Sequence, residues 1–234
     1  MTATAPDVPV IAIDGPSASG KGTVAARVAS ALGFHYLDSG ALYRLVTLAA
    51  LRRGANLDDE EALAGIAATM DVRFDAEGMR LDGGDVTEAV RTEEVSAVTS
   101  RVAAHPGVRR ALLQRQRAFR RAPGLVADGR DMGAIVFPDA ALKVFLTADV
   151  ATRAERRYKQ LKEKGMYAKM QDVVEELERR DARDRSRPVA PLKHYPDAFF
   201  LDTTGLSIDQ AVAKVLEWWR ERSSRPVRKG PQGG

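Results

Sequence analysis

The residues with the clearest chemical potential lie near the start of the chain, in the stretch AIDGPSASGKGT, residues 12–23. It follows an apolar segment and contains a glycine, four further residues and Gly20-Lys21, the spacing of a phosphate-binding loop. Glycines let successive backbone N–H groups point into one concavity, and a lysine neutralises the outer phosphates. A glycine-rich turn without function is the alternative. We favour a nucleotide phosphate site built from Gly15, Pro16, Ser17, Ala18, Ser19, Gly20, Lys21, Gly22 and Thr23.

A second candidate is the stretch RRDARDRSR, residues 179–187, which holds five arginines and two aspartates. Such a cluster is either a solvated helix face or an anion site, because a guanidinium group donates two parallel bonds to phosphate. On a helix, Arg180, Asp184 and Arg187 share one face. We expect this face to line a site, Asp181 to serve as an internal ion-pair partner, and the remaining arginines, Arg183 among them, to point away.

Three further stretches carry charge where ligands bind. DSGALYR, residues 38–44, places Ser39 at a helix start and Arg44 one turn later, which suits an anion. VADGRDMG, residues 126–133, puts charged side chains directly after an apolar strand, at the sheet edge where open α/β folds bind ligands. The stretch ATRAERRYKQLKEKG, residues 151–165, has two interpretations. It is either a solvated charged helix or a lid that brings Arg153 and Arg157 to the γ-phosphate.

The elements that must position these residues alternate between short apolar runs and longer amphipathic stretches, which predicts a parallel sheet flanked by helices. The expected strands are 8–14, 34–37, 125–128, 142–147 and 198–202, and the expected helices are 21–32, 41–53, 93–103, 108–121, 150–164, 173–183 and 208–222. Residues 71–90 break the alternation and predict a hairpin-like insertion with short strands around Glu77-Gly78 and Gly83-Gly84.

Composition narrows the class of protein. With 234 residues the chain can form one domain, and without cysteine it excludes disulfides and thiolate metal sites. No signal peptide or membrane span is indicated, so we expect a soluble cytoplasmic protein. The net charge of +4 resides in the last thirteen residues, RSSRPVRKGPQGG, which have three arginines, one lysine and no acid. We therefore expect a basic, disordered tail at residues 223–234 rather than a nucleic-acid surface.

These motifs, in this order, resemble those of bacterial cytidylate kinases. The resemblance runs from IDGPSASGKGT through LDSGALYR, RTEEVSAVTSRVAAHPGVR, RQRAFRRAPGLVADGRDMGAIVFPDA and RDARDRSRPVAPL to the final helix, and ADGRDMG and DSGALYR are its specific parts. It implies transfer of a phosphoryl group from ATP to CMP or dCMP with Mg²⁺. It also implies a P-loop kinase fold, which is α/β with a five-stranded parallel sheet, a monophosphate-binding insertion at about residues 65–105 and a short lid at about 153–170.

The resemblance also implies residue roles. It assigns Ser39, Arg44, Arg130 and Arg187 to the CMP phosphate, Ser100, Arg109 and Asp131 to cytosine, and Arg180 and Asp184 to the sugar hydroxyls. Cytosine offers an amino donor at N4 beside acceptors, so a carboxylate with Arg and Ser donors is a suitable reader. We expect Lys21, Asp128, Arg130 and Arg187 to be the catalytic residues.

The sequence also bears on the magnesium ligand and on alternative functions. The residue after Lys21 is Gly22 rather than the usual Ser or Thr ligand, as in nucleoside monophosphate kinases, so Asp128 is expected to act on magnesium through water. No Asn-Lys-x-Asp occurs, which argues against a GTPase. A kinase for another monophosphate or small metabolite, and an ATP-hydrolysing RNA-binding protein, remain alternatives. We expect a monomer that needs no nucleic acid or membrane.

Overall fold

The computed structural model describes residues 8–75 and 78–224. Within these ranges the helices are α1 (Lys21–Leu32), α2 (Ser39–Arg52), α3 (Glu60–Thr69), α4 (Glu93–Val102), α5 (Pro106–Arg117), α6 (Val150–Glu163), α7 (Met170–Ser186) and α8 (Ile208–Ser223). The strands are β1 (Val10–Asp14), β2 (His35–Asp38), β3 (Val72–Asp75), β4 (Gly78–Leu81), β5 (Gly84–Asp85), β6 (Leu125–Gly129), β7 (Leu142–Thr147) and β8 (Phe199–Asp202).

Five strands form the central sheet in the order β2-β6-β1-β7-β8. All four neighbouring pairs are parallel, and Asp14 at the end of β1 is in register with Gly129 at the end of β6. The prediction of a five-stranded parallel sheet is confirmed. Because the strands run the same way, their carboxyl ends meet at one edge, and the motif residues that follow them are brought together there.

The two faces of the sheet are covered by different helices, as the alternation of side chains along a strand requires. From β1, Val10 and Ala12 face a core shared with α2, α3, α4 and α5, whereas Ile11 and Ile13 face a core shared with α1 and α8. All four side chains are fully buried. Strand β1, the central one, thereby fixes the loop that follows it against both layers.

The segment that breaks the strand-helix alternation forms a separate three-stranded sheet, ordered β3-β4-β5, with antiparallel pairing. The hairpin-like insertion is confirmed, and it has one strand more than a simple hairpin; the predicted turn around Glu77-Gly78 includes residues 76–77, which lie outside the described residues. The sequence analysis missed helix α3, which begins behind an Asp59 N-cap. Only Leu63, Ile66 and Ala67 are buried on it, so its buried apolar stripe spans little more than one turn.

The other helices agree with the sequence patterns to within a few residues. The largest differences are in α5, which begins two residues before and ends four residues before the predicted helix 108–121, and in α7, which extends three residues beyond the predicted helix 173–183 at each end. Helix α8 ends at Ser223, so it enters the predicted tail by one residue, and residues 225–234 lie outside the described residues. None of the helices in the described ranges has the length and apolar character needed to cross a membrane.

Candidate active site

A cavity of about 350 Å³ opens at the carboxyl edge of the central sheet. It brings together the phosphate loop, the start of α2, the ends of α4 and β6, and the inner face of α7. The sequence-predicted residues that line it are Ser17, Ala18, Gly20, Lys21, Gly22, Thr23, Ser39, Arg44, Ser100, Arg109, Asp128, Arg130, Asp131, Arg180, Asp184 and Arg187. Six of the lining side chains are cations and four are carboxylates, so the cavity favours an anionic ligand.

The phosphate loop is held in shape by close backbone packing. A Cβ atom added to Gly15 would lie 1.9 Å from the backbone oxygen of Leu146, so only glycine fits there. Gly20 ends the loop in the left-handed region, with φ of 88°, and caps α1. Ser19 Oγ and Lys21 Nζ both donate to the Pro16 carbonyl, at 3.0 and 3.2 Å. The loop therefore presents the start of α1 and the lysine to the cavity.

Lys21 lies in surroundings that disfavour its own charge. Burial, with the positive charge of Arg130 next, lowers the pKa of Lys21 to about 7, although nearby Asp128 acts in the opposite direction. In the free site the negative charge of Asp128 and Asp38 does not offset burial and the neighbouring arginines. A bound polyphosphate would supply further negative charge and favour the ammonium form.

Two carboxylates face each other across neighbouring strands beside this lysine. Asp38 and Asp128 are register partners on β2 and β6. Burial, followed by repulsion from Asp38, raises the pKa of Asp128 to about 6. Asp128 accepts a hydrogen bond from the Tyr36 hydroxyl at 2.7 Å, whereas Asp38 accepts from Ala41 N at 3.0 Å. The closeness of two carboxylates suits a divalent cation.

Arg130 connects the end of β6 to the phosphate loop and to α7. Its guanidinium group donates to Ser17 Oγ and to Asp184 Oδ2, both at 2.8 Å. Asp184 also accepts from Arg187. Burial alone would raise the pKa of Asp184, but Arg130 and Arg187 outweigh it and lower this pKa to about 2. The carboxylate is therefore ionised and holds two arginines in place at the centre of the cavity.

Three guanidinium groups in the cavity carry a buried nitrogen that has no hydrogen-bond partner among the described residues. They are the Nε atoms of Arg44, Arg180 and Arg187. Burial, with repulsion from Arg130 next, lowers the pKa of Arg180 to about 10. A buried donor without a partner is costly, and its clustering in one cavity indicates that a ligand completes these hydrogen bonds.

The far end of the cavity is built around an ion pair between Arg109 and Asp131. The two groups are 2.5 Å apart, and both side chains are 7% exposed. Arg109 also donates to the Ala103 carbonyl at 3.1 Å and lies over the Tyr43 ring, 5.5 Å from its centroid. Ser100, only 5% exposed, lines the same end. This region combines a carboxyl acceptor with hydroxyl and guanidinium donors.

Ser39 and Arg44 occupy the first turns of α2, as predicted. Ser39 is 3% exposed and packs on the end of β6, where a Cβ atom added to Gly129 would lie 2.5 Å from Ser39 Oγ. Arg44 donates to Asp38 Oδ2 at 2.5 Å. A side chain at position 129 would therefore displace Ser39 Oγ and the Met132 side chain, and Asp38 orients Arg44 toward the cavity.

Arg153 and Arg157, expected near the γ-phosphate, do not line the cavity. Arg153 is 2% exposed and donates to Asp181 at 2.7 Å and to the Ser17 carbonyl at 3.3 Å, behind the phosphate loop. Arg157 pairs with Glu93 at 2.5 Å. The expected internal role of Asp181 is confirmed. The expectation that Arg183 points away from the site is wrong, because it donates to Ser100 Oγ.

Several residues of the site were missed in the sequence analysis. Tyr36 orients Asp128, Gln160 lines the cavity from α6, and Arg156 donates to the Ser19 carbonyl at 3.1 Å. Asp14 accepts from the backbone of the turn that follows Asp131. For Asp14, its position as a polar residue in an apolar strand was a signal in the sequence. The other three residues were not predictable because their roles depend on contacts between distant segments.

Comparison with known proteins agrees with this geometry. A family model described as cytidylate kinase matches residues 11–221. A cytidylate kinase of Bordetella bronchiseptica is 59% identical over 220 residues, covering 94% of this chain and 99% of its own length. One from Chromobacterium violaceum is 60% identical over 217 residues, covering 93% and 98%. Because the match extends over nearly the whole chain and includes every segment that builds the cavity, the chain belongs to the cytidylate kinase family.

Proposed function

We propose that this protein transfers the γ-phosphoryl group of ATP to CMP or dCMP, giving ADP and CDP or dCDP. A phosphate oxygen of the monophosphate attacks the γ-phosphorus, a new P–O bond forms, and the bond to the β,γ-bridging oxygen breaks. The bonding electrons leave with ADP. Family membership and the names of close relatives support this reaction.

The observation that carries the proposal is the union of two anion sites in one cavity. The phosphate loop with Lys21 forms one, and the guanidinium groups of Arg44, Arg130 and Arg187 form the other. We assign the ATP phosphates to the loop. We assign the CMP phosphate to the arginines and Ser39. Arg130 touches both sites through its bond to Ser17 Oγ, so the two phosphate groups would be held side by side.

The nucleoside is assigned to the other end of the cavity. We assign Ser100, Arg109 and Asp131 to cytosine and Arg180 and Asp184 to the sugar hydroxyls. Asp131 is suited to accept from the cytosine N4 amino group. Uracil would present its O4 acceptor to the same carboxylate, and two facing acceptors in a buried site are strongly unfavourable.

The chemistry assigned to the side chains is mainly electrostatic. Phosphoryl transfer passes through a loose transition state with charge spread over the equatorial oxygens, so positioned cations and exclusion of water supply most of the rate. Lys21, Arg130 and Arg187 would stabilise that charge. We do not assign the γ-phosphate contact to Arg153 or Arg157 in the conformation seen here. Their contact with the triphosphate remains a proposal that requires both to leave their carboxylate partners.

Mg²⁺ is proposed as the metal, and the residues present fit it in one respect. Asp38 and Asp128 are register partners whose mutual repulsion a divalent cation would relieve. Among the described residues, no group of three or more His, Cys, Asp or Glu side chains could hold a metal. Phosphate oxygens and water would therefore supply most ligands, with Asp128 acting through water. When bound, the ion neutralises charge on the β- and γ-phosphates.

We further propose a cytoplasmic monomer that needs no nucleic acid. Residues of about 65–105 and 153–170 are proposed to move as the monophosphate-binding insertion and the lid. Two hydrogen bonds join these segments: Arg157 donates to Glu93, and Lys164 donates to the Arg91 carbonyl. The two segments are expected to separate when the free site opens and to close when nucleotides bind. Closure should appear as slower hydrogen exchange in both segments when ATP and CMP are added.

The function is tested by measuring ADP release with purified protein, ATP, Mg²⁺ and each of CMP, dCMP, UMP, AMP and GMP. We expect kcat/KM to be highest for the two cytidine nucleotides. Equal or higher values for another monophosphate would refute the assignment of base specificity, and ATP hydrolysis without an acceptor product would refute kinase function.

A further inference from the structure

Asp14 lies at the junction between the phosphate loop and the turn that carries the base-reading residue. It is the last residue of β1, immediately before Gly15. Its two carboxylate oxygens accept one hydrogen bond each, from Met132 N at 2.8 Å and from Gly133 N at 2.9 Å. These are the two residues that follow Asp131, so the carboxylate caps the turn beyond it.

Two sets of hydrogen bonds restrain the backbone on the C-terminal side of Asp131. Its carbonyl oxygen accepts from Ile135 N at 2.9 Å and Val136 N at 3.2 Å, within the helical turn Met132–Val136. The amides that follow are held by Asp14. With the backbone restrained in this way, the Asp131 side chain has a defined origin from which to meet Arg109 and the ligand.

Asp14 is outside the main cavity. It lines a separate small cavity behind the turn, together with Lys143 and Tyr195, whereas the lining of the main cavity among described residues begins with Ser17. Asp14 therefore does not touch either nucleotide in the arrangement proposed above. Burial raises the pKa of Asp14 to about 7, which indicates that a carboxyl group is kept here despite an unfavourable environment.

We propose that Asp14 is a positioning residue for base selectivity, acting through Asp131 by holding the amides of Met132 and Gly133. This rests on the proposed function. Asparagine has nearly the same shape but only one acceptor oxygen, so its NH₂ group would face an N–H donor of the turn. One backbone donor would lose its partner, and the turn would move away from the strand.

The test compares kcat/KM for CMP and UMP in wild type and Asp14→Asn. We expect the CMP:UMP ratio to fall by about tenfold, while KM for ATP changes less than about twofold, since a specificity site depends on aligned polar groups. Partial unfolding alone would lower both kcat/KM values equally and leave their ratio unchanged. Asp139→Asn, which alters an exposed carboxylate paired with Arg120, serves as the matched control and should keep the ratio.

Two further measurements decide the outcome. In an Asp131→Asn background, Asp14→Asn should cause no further loss of the ratio, because the residue through which it acts is gone. In the wild-type protein, the amides of Met132 and Gly133 should exchange with solvent as slowly as those of β6, a readout that requires no variant. An unchanged ratio in folded Asp14→Asn, an additive loss in the double variant, or rapid exchange of both amides would overturn the proposal. Failure of the proposed function would instead appear in the wild type, as no preference for cytidine nucleotides.

Discussion

Changing Asp131 to Asn tests the base-reading end of the site with the smallest possible change in shape. Asp131 and Arg109 form an ion pair of 2.5 Å with both side chains 7% exposed. Asparagine removes the charge, keeps one acceptor oxygen and adds two donors. Cytosine then loses a carboxylate partner for its N4 amino group, whereas uracil gains a donor to its O4.

The expected size follows from the burial of the pair. A hydrogen bond to a charged group contributes about 1.5–3 kcal/mol, so kcat/KM for CMP should fall by about 10- to 100-fold. Because UMP loses nothing of this kind, the CMP:UMP ratio should fall at least as much. Breaking a buried ion pair costs about 3–5 kcal/mol of unfolding free energy. The lower end is expected here because Arg109 keeps the Ala103 carbonyl and the Tyr43 ring.

The assay combines steady-state kinetics for both monophosphates with denaturant unfolding of the free protein. Asp139→Asn is the control, since Asp139 is 54% exposed and its pair with Arg120 contributes at most about 1 kcal/mol. A folded Asp131→Asn enzyme whose CMP:UMP ratio equals that of wild type would refute the assignment of cytosine to this pair.

Three further perturbations separate binding, packing and the tail. The pKa of Lys21 is lowered to about 7 in the folded protein, so the unfolded state binds more protons between pH 7 and pH 10.5, and the free energy of unfolding should rise with pH in this range. Lys21→Met should raise the melting temperature at pH 7 and abolish phosphoryl transfer. ATP binding at pH 8 should also take up protons, visible by calorimetry in buffers of different ionisation enthalpy, and this uptake should shrink in Lys21→Met. Arg153→Met leaves the buried Asp181 with only the largely exposed Arg185, 3.9 Å away, and should cost about 3–5 kcal/mol in denaturant unfolding. Arg157→Met breaks a more exposed pair and should cost about 1 kcal/mol or less; equal losses would contradict the difference in burial. Deleting residues 225–234 should leave kcat and KM unchanged, and a loss of activity on deletion would favour the RNA-binding alternative.

The sequence was sufficient to predict the sheet and the cavity wall because both depend on local order. An apolar strand followed by a polar motif recurs at β1, β2 and β6, and parallel strands bring such motifs to one edge. The phosphate loop is likewise a local feature. The contact of Gly15 with the Leu146 carbonyl depends on the tertiary structure. The glycine in the motif already indicated that the backbone is closely approached at this position.

The partners of individual arginines could not be predicted, since a guanidinium group reaches any carboxylate that the fold brings near. Arg153 and Asp181 are 28 residues apart, and Arg183 and Ser100 are 83 apart. Helical spacing gave the correct face for Arg180 and Asp184 but placed Arg183 in solvent, because it did not include α4 beside α7. The role of Asp14 needed the turn after Asp131, 118 residues away.

A crystal structure with CMP and a non-hydrolysable ATP analogue tests the central claim most directly, because that claim is the placement of two nucleotides in one cavity. We predict the triphosphate on the amides of the phosphate loop and Lys21, the CMP phosphate on Arg130 and Arg187, and cytosine beside Asp131. A complex in which Arg130 and Arg187 face bulk solvent, with no nucleotide beside them, would contradict the account.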